Sequence, residues 1–436
     1  PVPLTVRDAP TPGAPPDAAA AAAAAAAAPA PRNDSIKVVV RVRPLSEDER
    51  GRGESETVSV AGDARSVTVS VPGPRGTSLT RQFGFHACLG PSTRQAEVIS
   101  KCGVKHLLDS VLRGYAGTIL AYGQTGSGKT FTMTGREEVI ASERYSGDDD
   151  DGLIVRSVRH LFAQARAQGG SGGPAYKLRA SYVEIYNEQC YDLLTGSPTP
   201  LQVRWDPRVG FYVQNLRVVE CEGEGDCLSV VSTGTRNRRV GSHELNKDSS
   251  RSHSMMTLYC EAAGGGAGAK YGKVSFVDLA GSERLKQTRS SGETLKETGS
   301  INRSLFVLGK VIALLGEGGG QPQYVPYRDS KLTKLLMDSL GGSSLALMVA
   351  CCSPSPSHVD ETLSTLYYAT RAKNIVNTPV VQSDPQEALV AALRREVALL
   401  RSENEYLRGQ LGHPPRSGES SGAATPLGTP HKPLGT

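Results

Sequence analysis

The chain has 436 residues, 38% hydrophobic and 21% charged, with a formal net charge of +5. That is ample for one large core or two ordinary domains, and the mild charge points to a polyanionic partner only where basic groups cluster. No uninterrupted apolar run approaches the roughly 20 residues that a membrane span needs. The Pro/Ala-rich start, at Pro1 rather than Met as in a piece of a longer protein, lacks the basic stretch of a secretory signal. Eight cysteines show no Cys-x-x-Cys pair and no His/Cys ligand spacing, and read as reduced, buried thiols of a cytosolic protein.

In chain order, residues 1–34 read as disordered or transiently helical: prolines bracket the Ala18–Ala28 run, and it has no polar and apolar faces. Order is expected from Ser35, where "IKVVVRVRP" (Ile36–Pro44) is β-branched and stopped by proline, as a buried strand would be. Strand-like runs recur at "TILAYG", "KLRASYVEIY", "MMTLYCEA", "KVSFVDLAG" and "SLALMVACC". Helix-like segments lie between them: "QAEVISKCGVKHLLDSVLRG", "GLIVRSVRHLFAQARAQ" and "NRSLFVLGKVIALLGE". This alternation predicts an α/β fold with a central, mostly parallel sheet covered on both faces. Gly- or Asp-rich loops interrupt it at 135–151, 169–174 and 264–268, and the acidic run 148–151 reads as a solvated loop tip.

One stretch carries chemistry. "GQTGSGKT" (Gly123, Gln124, Thr125, Gly126, Ser127, Gly128, Lys129, Thr130) follows the strand-like "TILAY" and precedes a predicted helix. Glycines let successive backbone N–H groups turn inward around phosphate oxygens. Lys129 supplies a cation for the β- and γ-phosphates, and Thr130 a hydroxyl for Mg²⁺. A second element, "KVSFVDLAGSE", ends an apolar strand in Asp278, which suits Mg²⁺ through water, and the N–H of Gly281 lies where a γ-phosphate would be sensed. A third, "NKDSSRSH", offers the hydroxyls of Ser249 and Ser250 to metal and γ-phosphate. Arg251 and Glu283 carry opposite charges in these two elements and form a candidate latch between them.

Together "GQTGSGKT", "NKDSSRSH" and "VDLAGSE", in this order, resemble the phosphate loop, switch I and switch II of the kinesin motor domain. "VRVRP", "SYVEIYNEQCYDLL", "INRSLFVLGKVI" and "YVPYRDSKLTKLLMDSLGG" resemble further family signatures, and the likeness runs from about Ser35 to Asn377. The stretch "GSHELNKDSSRSH" and the short neck are similar to kinesin-12 members. The resemblance implies a P-loop motor fold with an eight-stranded sheet flanked by helices, ATP and Mg²⁺ as ligands, and microtubules as the track. It puts Arg41, Arg43 and Pro44 at the adenine, and Phe131 against its face. It makes Ser249, Ser250 and Arg251 switch I, and Asp278, Gly281 and Glu283 switch II. Hydrolysis would proceed by positioning and electrostatic stabilisation, with Ser250 and the Arg251–Glu283 pair organising water. The base-reading Asn-Lys-x-Asp of GTPases is absent.

The same resemblance places the tubulin contact on Lys286, Arg289, Lys296 and Arg303, continuing from switch II, and on Arg328, Lys331 and Lys334. After the last helix, "TLYYATRAKNIVNTPVV" resembles the junction into a neck linker (376–384), with Ile375 filling an apolar pocket and Asn377 latching the backbone. Pro379 removes one donor from a segment that must dock as a strand. Residues 385–411 then show heptad spacing, with Val390, Val397, Asn404 and Leu411 at one core position and Leu393, Leu400 and Leu407 at the other, a pattern suited to a homodimer, the alternative being a helix packed back on the core. Residues 412–436 read as a disordered tail. The expectation is a motor domain over 35–375 that moves toward microtubule plus ends, in the cytoplasm and on the microtubule cytoskeleton, spindle or cilium. The alternative is a non-motile scaffold or length regulator on the same track. No motif points to nucleic acid.

Overall fold

The six strand-like runs form six adjacent strands in the middle of one sheet, in an order far from that of the chain. They are β2 (Lys37–Val42), β7 (Ala116–Tyr122), β8 (Ala175–Tyr186), β13 (His253–Ala263), β14 (Lys270–Asp278) and β15 (Leu345–Cys352). The short strands β6 (Ala87–Leu89) and β12 (Val219–Cys221) close the two edges, giving the order β12-β8-β13-β14-β7-β15-β2-β6. The computed structural model describes residues 34–72, 78–143, 145, 151–169, 175–207, 209–244, 249–263, 269–283, 293–317, 324–382, 397 and 399–403.

From β14 to β6 the neighbours are parallel, and from β12 to β14 they are antiparallel. The sheet is therefore mixed, with its parallel half around the phosphate loop. In the antiparallel half, β13 and β14 are joined by a short connection, whereas β8 and β13 pair across the long stretch from Tyr186 to His253. β9 (Gln189–Asp192) folds back on β8 through Asn187 and Glu188, both at positive φ, as a two-residue hairpin requires.

Alternate strand residues face opposite layers. Ile119 and Ala121 belong to one buried cluster, with Leu108, Val158, Leu161 and Val231; Leu120 and Tyr122 belong to the other, with Leu308, Ile312 and Leu366. The first layer comprises α2 (Gln95–Lys101), α3 (Val104–Leu112), α6 (Leu153–Gln168) and α7 (Glu224–Glu244). The second comprises α8 (Glu293–Gly316), α9 (Lys331–Leu335) and α10 (Val359–Lys373). Short helices α1 (Glu47–Gly51), α4 (Lys129–Met133) and α5 (Glu137–Ala141) lie among the loops near the parallel strands. A small antiparallel sheet, β3 (Val58–Val60), β4 (Ser66–Pro72) and β5 (Ser78–Gly84), sets Phe83 edge-on against Tyr367 of α10. The hairpin β10 (Val203–Asp206) and β11 (Gly210–Val213) stands apart as a two-stranded sheet.

Four local expectations change. The first helix-like segment breaks in two at Gly103, whose φ of 76° caps α3. The 135–151 loop contains α5, which buries Ile140. Of the acidic run, 148–150 lie outside the described residues, and Asp151 is no solvated loop tip: it is fully buried and accepts from Arg159 at 2.7 Å, while Arg159 also reaches Glu224 of α7. Finally, "TLYYATRAK" belongs to the last helix rather than following it, since α10 runs through Lys373.

The chain divides into two compact units, Pro1–Ser383 and Asp384–Thr436. In the second, 397 and 399–403 are described; they include helical residues with Val397, Leu399 and Leu400 exposed. The other heptad positions, residues 1–33 and the 412–436 tail lie outside the described residues. All eight cysteines are buried and unbridged, and no described helix is long and apolar enough to cross a membrane.

Candidate nucleotide site and its links to the long helix

Strand β7 ends at Tyr122, and the chain turns at once into the phosphate loop. Gly123 has a φ of 150°, and a Cβ there would lie 2.2 Å from the Cys351 carbonyl oxygen, so the turn requires glycine. Ser127 closes the loop by donating to the Gln124 carbonyl at 2.7 Å. Lys129 is buried and donates from Nζ to the same carbonyl at 2.9 Å. Burial lowers its pKa, and the Asp278 carboxylate works against that shift.

Asp278 ends β14 beside the loop, because β14 and β7 are parallel and in register. Its Oδ2 accepts from the Thr130 hydroxyl at 2.7 Å and from Arg238 of α7 at 3.0 Å. Its Oδ1 is buried with no hydrogen-bond partner among the described residues. A hydroxyl and an orphaned carboxylate oxygen side by side are the hard oxygen donors that Mg²⁺ prefers, so the residues present fit the ion.

The two switch segments meet at the loop. Gly281 N–H donates to the Ser250 carbonyl at 2.8 Å, and Ser282 N–H to the Gly123 carbonyl at 3.0 Å. A Cβ on Gly281 would come within 2.3 Å of Thr125 Oγ1 and 2.4 Å of the Glu283 carboxylate, so a side chain there would displace the contact between those two residues. Glu283 itself accepts from the Thr125 N–H at 2.8 Å and from the Thr125 hydroxyl, which ties switch II to the phosphate loop. Ser249–Arg251 form a single 3₁₀ turn; the Ser249 side chain lies outside the described set.

A cavity of about 250 Å³ opens beside the loop, lined by Arg41, Arg43, Pro44, Gln95 and Phe131 among others. Phe131 is partly exposed, and the Arg41 guanidinium lies 5.5 Å from its ring centroid, braced by Gln95 and Thr132 at 2.7 and 2.9 Å. Arg43 is held by a two-pronged contact to Glu49, both at 2.6 Å, and donates to the Gly126 carbonyl at 2.7 Å. The hydrogen bond from Arg43 brings the Glu49 carboxyl down to about 2. Its charged end therefore shapes the loop, which leaves the stem for the cavity wall.

Two residues that sequence reasoning missed join these parts. Arg238 donates to Asp278 and to the Ser252 carbonyl at 3.2 Å, bracing the metal-side carboxylate against the segment after switch I. His253 follows that segment. Its Nδ1 accepts from Ala280 N–H of switch II at 2.9 Å, so Nε2 carries the proton and donates to Ser304 of α8 at 2.7 Å. Burial, with the Arg238 charge nearby, pushes its pKa down to about 3, so the ring is neutral. One imidazole thus spans switch I's exit, switch II and the long helix.

On α8 and its neighbours, Arg303 and Arg328 are exposed, and Lys331 and Lys334 are half-buried. Glu188 accepts from the Ser330 hydroxyl and the Lys331 N–H, both at 2.8 Å, and caps α9. Lys286 and Arg289 lie outside the described residues; Lys296 lies in α8, with its side chain outside them.

Ile375 is fully buried, and Asn377 donates to the Ser339 and Ser344 carbonyls at 3.0 and 2.7 Å while accepting from Gly341 N–H at 2.8 Å. Residues β1 (Asp34–Ser35) and β16 (Val376–Asn377) pair antiparallel. Beyond them Thr378 and Val380 donate to Gly342 and Ser343, and Gln382 to Gly114. The donors are alternate residues, so Pro379 falls at a position where its missing N–H costs no hydrogen bond.

The family model "Kinesin motor domain" matches residues 41–375. The mouse (Mus musculus) "Kinesin-like protein KIF12" is 43% identical over 342 residues, covering 76% of this chain and 52% of that protein. "Kinesin-like protein KIN-12D" of Arabidopsis thaliana is 42% identical over 336 residues, 76% of this chain and 12% of that one. "Kinesin-like protein klp-20" of Caenorhabditis elegans is 42% identical over 323 residues, 74% and 48%. The chain thus spans about half the length of two of these relatives and much less of the third. A solved structure described as "Structure of a fast kinesin: Implications for ATPase mechanism and interactions with microtubules" aligns with a TM-score of 0.72 at 36% identity, over 80% of this chain and 94% of that one. Since the family model matches about three quarters of the chain, including the phosphate loop and both switch segments, this chain belongs to the kinesin motor domain family.

Proposed function

We propose that the chain is a microtubule-stimulated ATPase that converts ATP hydrolysis into movement toward microtubule plus ends, on the cytoplasmic cytoskeleton. The observation that carries this reading is the hydrogen-bonded path from the phosphate loop to α8: Gly123 to Ser282, Gly281 to Ser250, Ala280 through His253 to Ser304. A change at the γ-phosphate has a route to the helix expected to face the track.

In the reaction, water attacks the γ-phosphorus, the bond to the β-phosphate oxygen breaks, and ADP and phosphate leave. Lys129 gives up its bond to Gln124 and meets the β- and γ-oxygens, and Gly281 N–H exchanges the Ser250 carbonyl for a γ-oxygen. Ser250 orients the water, with Arg251 and Glu283 closing over it once Glu283 leaves Thr125. Thr130 and Asp278 would hold Mg²⁺, whose charge offsets that developing on the phosphate oxygens. Arg41, Pro44 and Phe131 take the adenine by its face. Linker docking through β16 and Asn377, C-terminal to the motor, supports plus-end direction.

A surface-gliding assay tests the reading. Steady ATP-dependent gliding is expected, whereas binding with slow turnover and no gliding selects the scaffold alternative. Asn377→Ala removes three hydrogen bonds, each worth about 0.5–1.5 kcal/mol. Gliding is then expected to slow several-fold with microtubule affinity retained, and unchanged velocity would remove Asn377 from the force-bearing path. Replacing Arg328 and Lys331 together by Ala is expected to weaken co-sedimentation about tenfold at low salt and less at high salt. A superimposable binding curve would refute that contact.

A further inference from the structure

The described part of α8 presents an exposed row at helical spacing: Arg303, Phe306, Lys310 and Leu314. Phe306 is 62% exposed, although the residues on either side of it pack inward, Val307 and Leu308 fully and Leu305 in part. The Lys310 ammonium lies 4.5 Å from the centroid of its ring. From Arg303 to Gly316 the helix contains no acidic residue. Next to it, the 3₁₀ turn Tyr327–Asp329, which carries Arg328, and helix α9 pack on the same helix and add further cations.

We infer that Phe306 is an apolar anchor of the track interface: its ring buries against the acidic microtubule lattice while Arg303 and Lys310, one turn to either side, pair with carboxylates around it. This rests on the functional reading above and adds a non-electrostatic component to it. Aromatic residues and arginine are enriched at protein interfaces, and an apolar contact that excludes water strengthens the charge pairs beside it. The cation over the ring face holds the ring against its own helix and limits the side-chain entropy lost on docking. The positive face selects an acidic lattice over a second copy of this chain, since two copies meeting here would oppose like charges.

Co-sedimentation with paclitaxel-stabilised microtubules across a salt series separates the two components. Phe306→Ala is expected to weaken binding on the order of tenfold at every salt concentration, leaving the slope of log Kd against log salt unchanged. Lys310→Ala is expected to reduce the slope, and Phe306→Leu to recover much of the affinity. Unchanged thermal unfolding midpoints confirm that the exposed substitutions act on binding. Phe306→Ala binding like wild type, while the Arg328/Lys331 variant weakens, would overturn the anchor. So would sedimentation velocity showing that Phe306→Ala abolishes a dimer without altering microtubule affinity. Wild type that fails to bind microtubules at any salt would sink the functional reading, and the anchor with it.

Discussion

Lys129→Ala is expected to reduce ATP turnover by at least about a hundredfold to a thousandfold, the usual cost of removing one preorganised group at a developing charge. The argument is local. Lys129 is the buried ammonium of the phosphate loop, held to Gln124 at 2.9 Å and aimed into a turn built of backbone donors. The turn itself survives the substitution, because Gly123 and Ser127 shape it through backbone and hydroxyl contacts. Burial penalises the Lys129 charge, so the variant is not expected to unfold earlier. Lys129→Arg is expected to fail as well, since a planar guanidinium does not fit a pocket shaped for a compact ammonium. Phosphate release measured on folded variant decides the matter, and release near the wild-type rate would remove the nucleotide site as drawn.

Arg238→Ala is expected to destabilise the fold by roughly 3–5 kcal/mol, because it strands a buried carboxylate. Arg238 and Asp278 are 3.0 Å apart, with side chains only 3% and 4% exposed. Burial alone would depress the Arg238 pKa, but the Asp278 carboxylate and its neighbours outweigh it and raise it. Thermal unfolding is expected to shift down by roughly 5–10 °C. Pairing Arg238→Met with Asp278→Asn removes both charges and is expected to recover most of that loss, though not ATP turnover. A single variant that unfolds at the wild-type temperature would show that the pair contributes no stability.

The middle of the sheet was legible because β-branched runs such as Val38–Val40 have no good alternative to a buried strand. The phosphate loop was legible because glycine spacing and a following Lys-Thr reflect local backbone geometry. Helix α7 was not: glycines at 225, 234 and 241 and a weak apolar face hide it. Gly234 becomes intelligible only in three dimensions, where a Cβ would lie 2.0 Å from the Tyr182 ring. Arg238 and His253 escaped notice because their partners lie 14 to 51 residues away. Asp151 misled for a similar reason, since it owes its burial to Arg159, two turns into α6. The mixed character of the sheet also depended on which strands become neighbours, as β8 and β13 do across a long connection, and that order is not written in any single strand.

The path from Gly281 through His253 to α8 is tested most directly by steady-state ATP turnover of this chain with and without microtubules, at low salt. The account predicts a rise of at least about tenfold on adding microtubules, and its loss in His253→Ala even where basal turnover persists. Turnover that is indifferent to microtubules in the wild-type chain, or fully stimulated without His253, would contradict it.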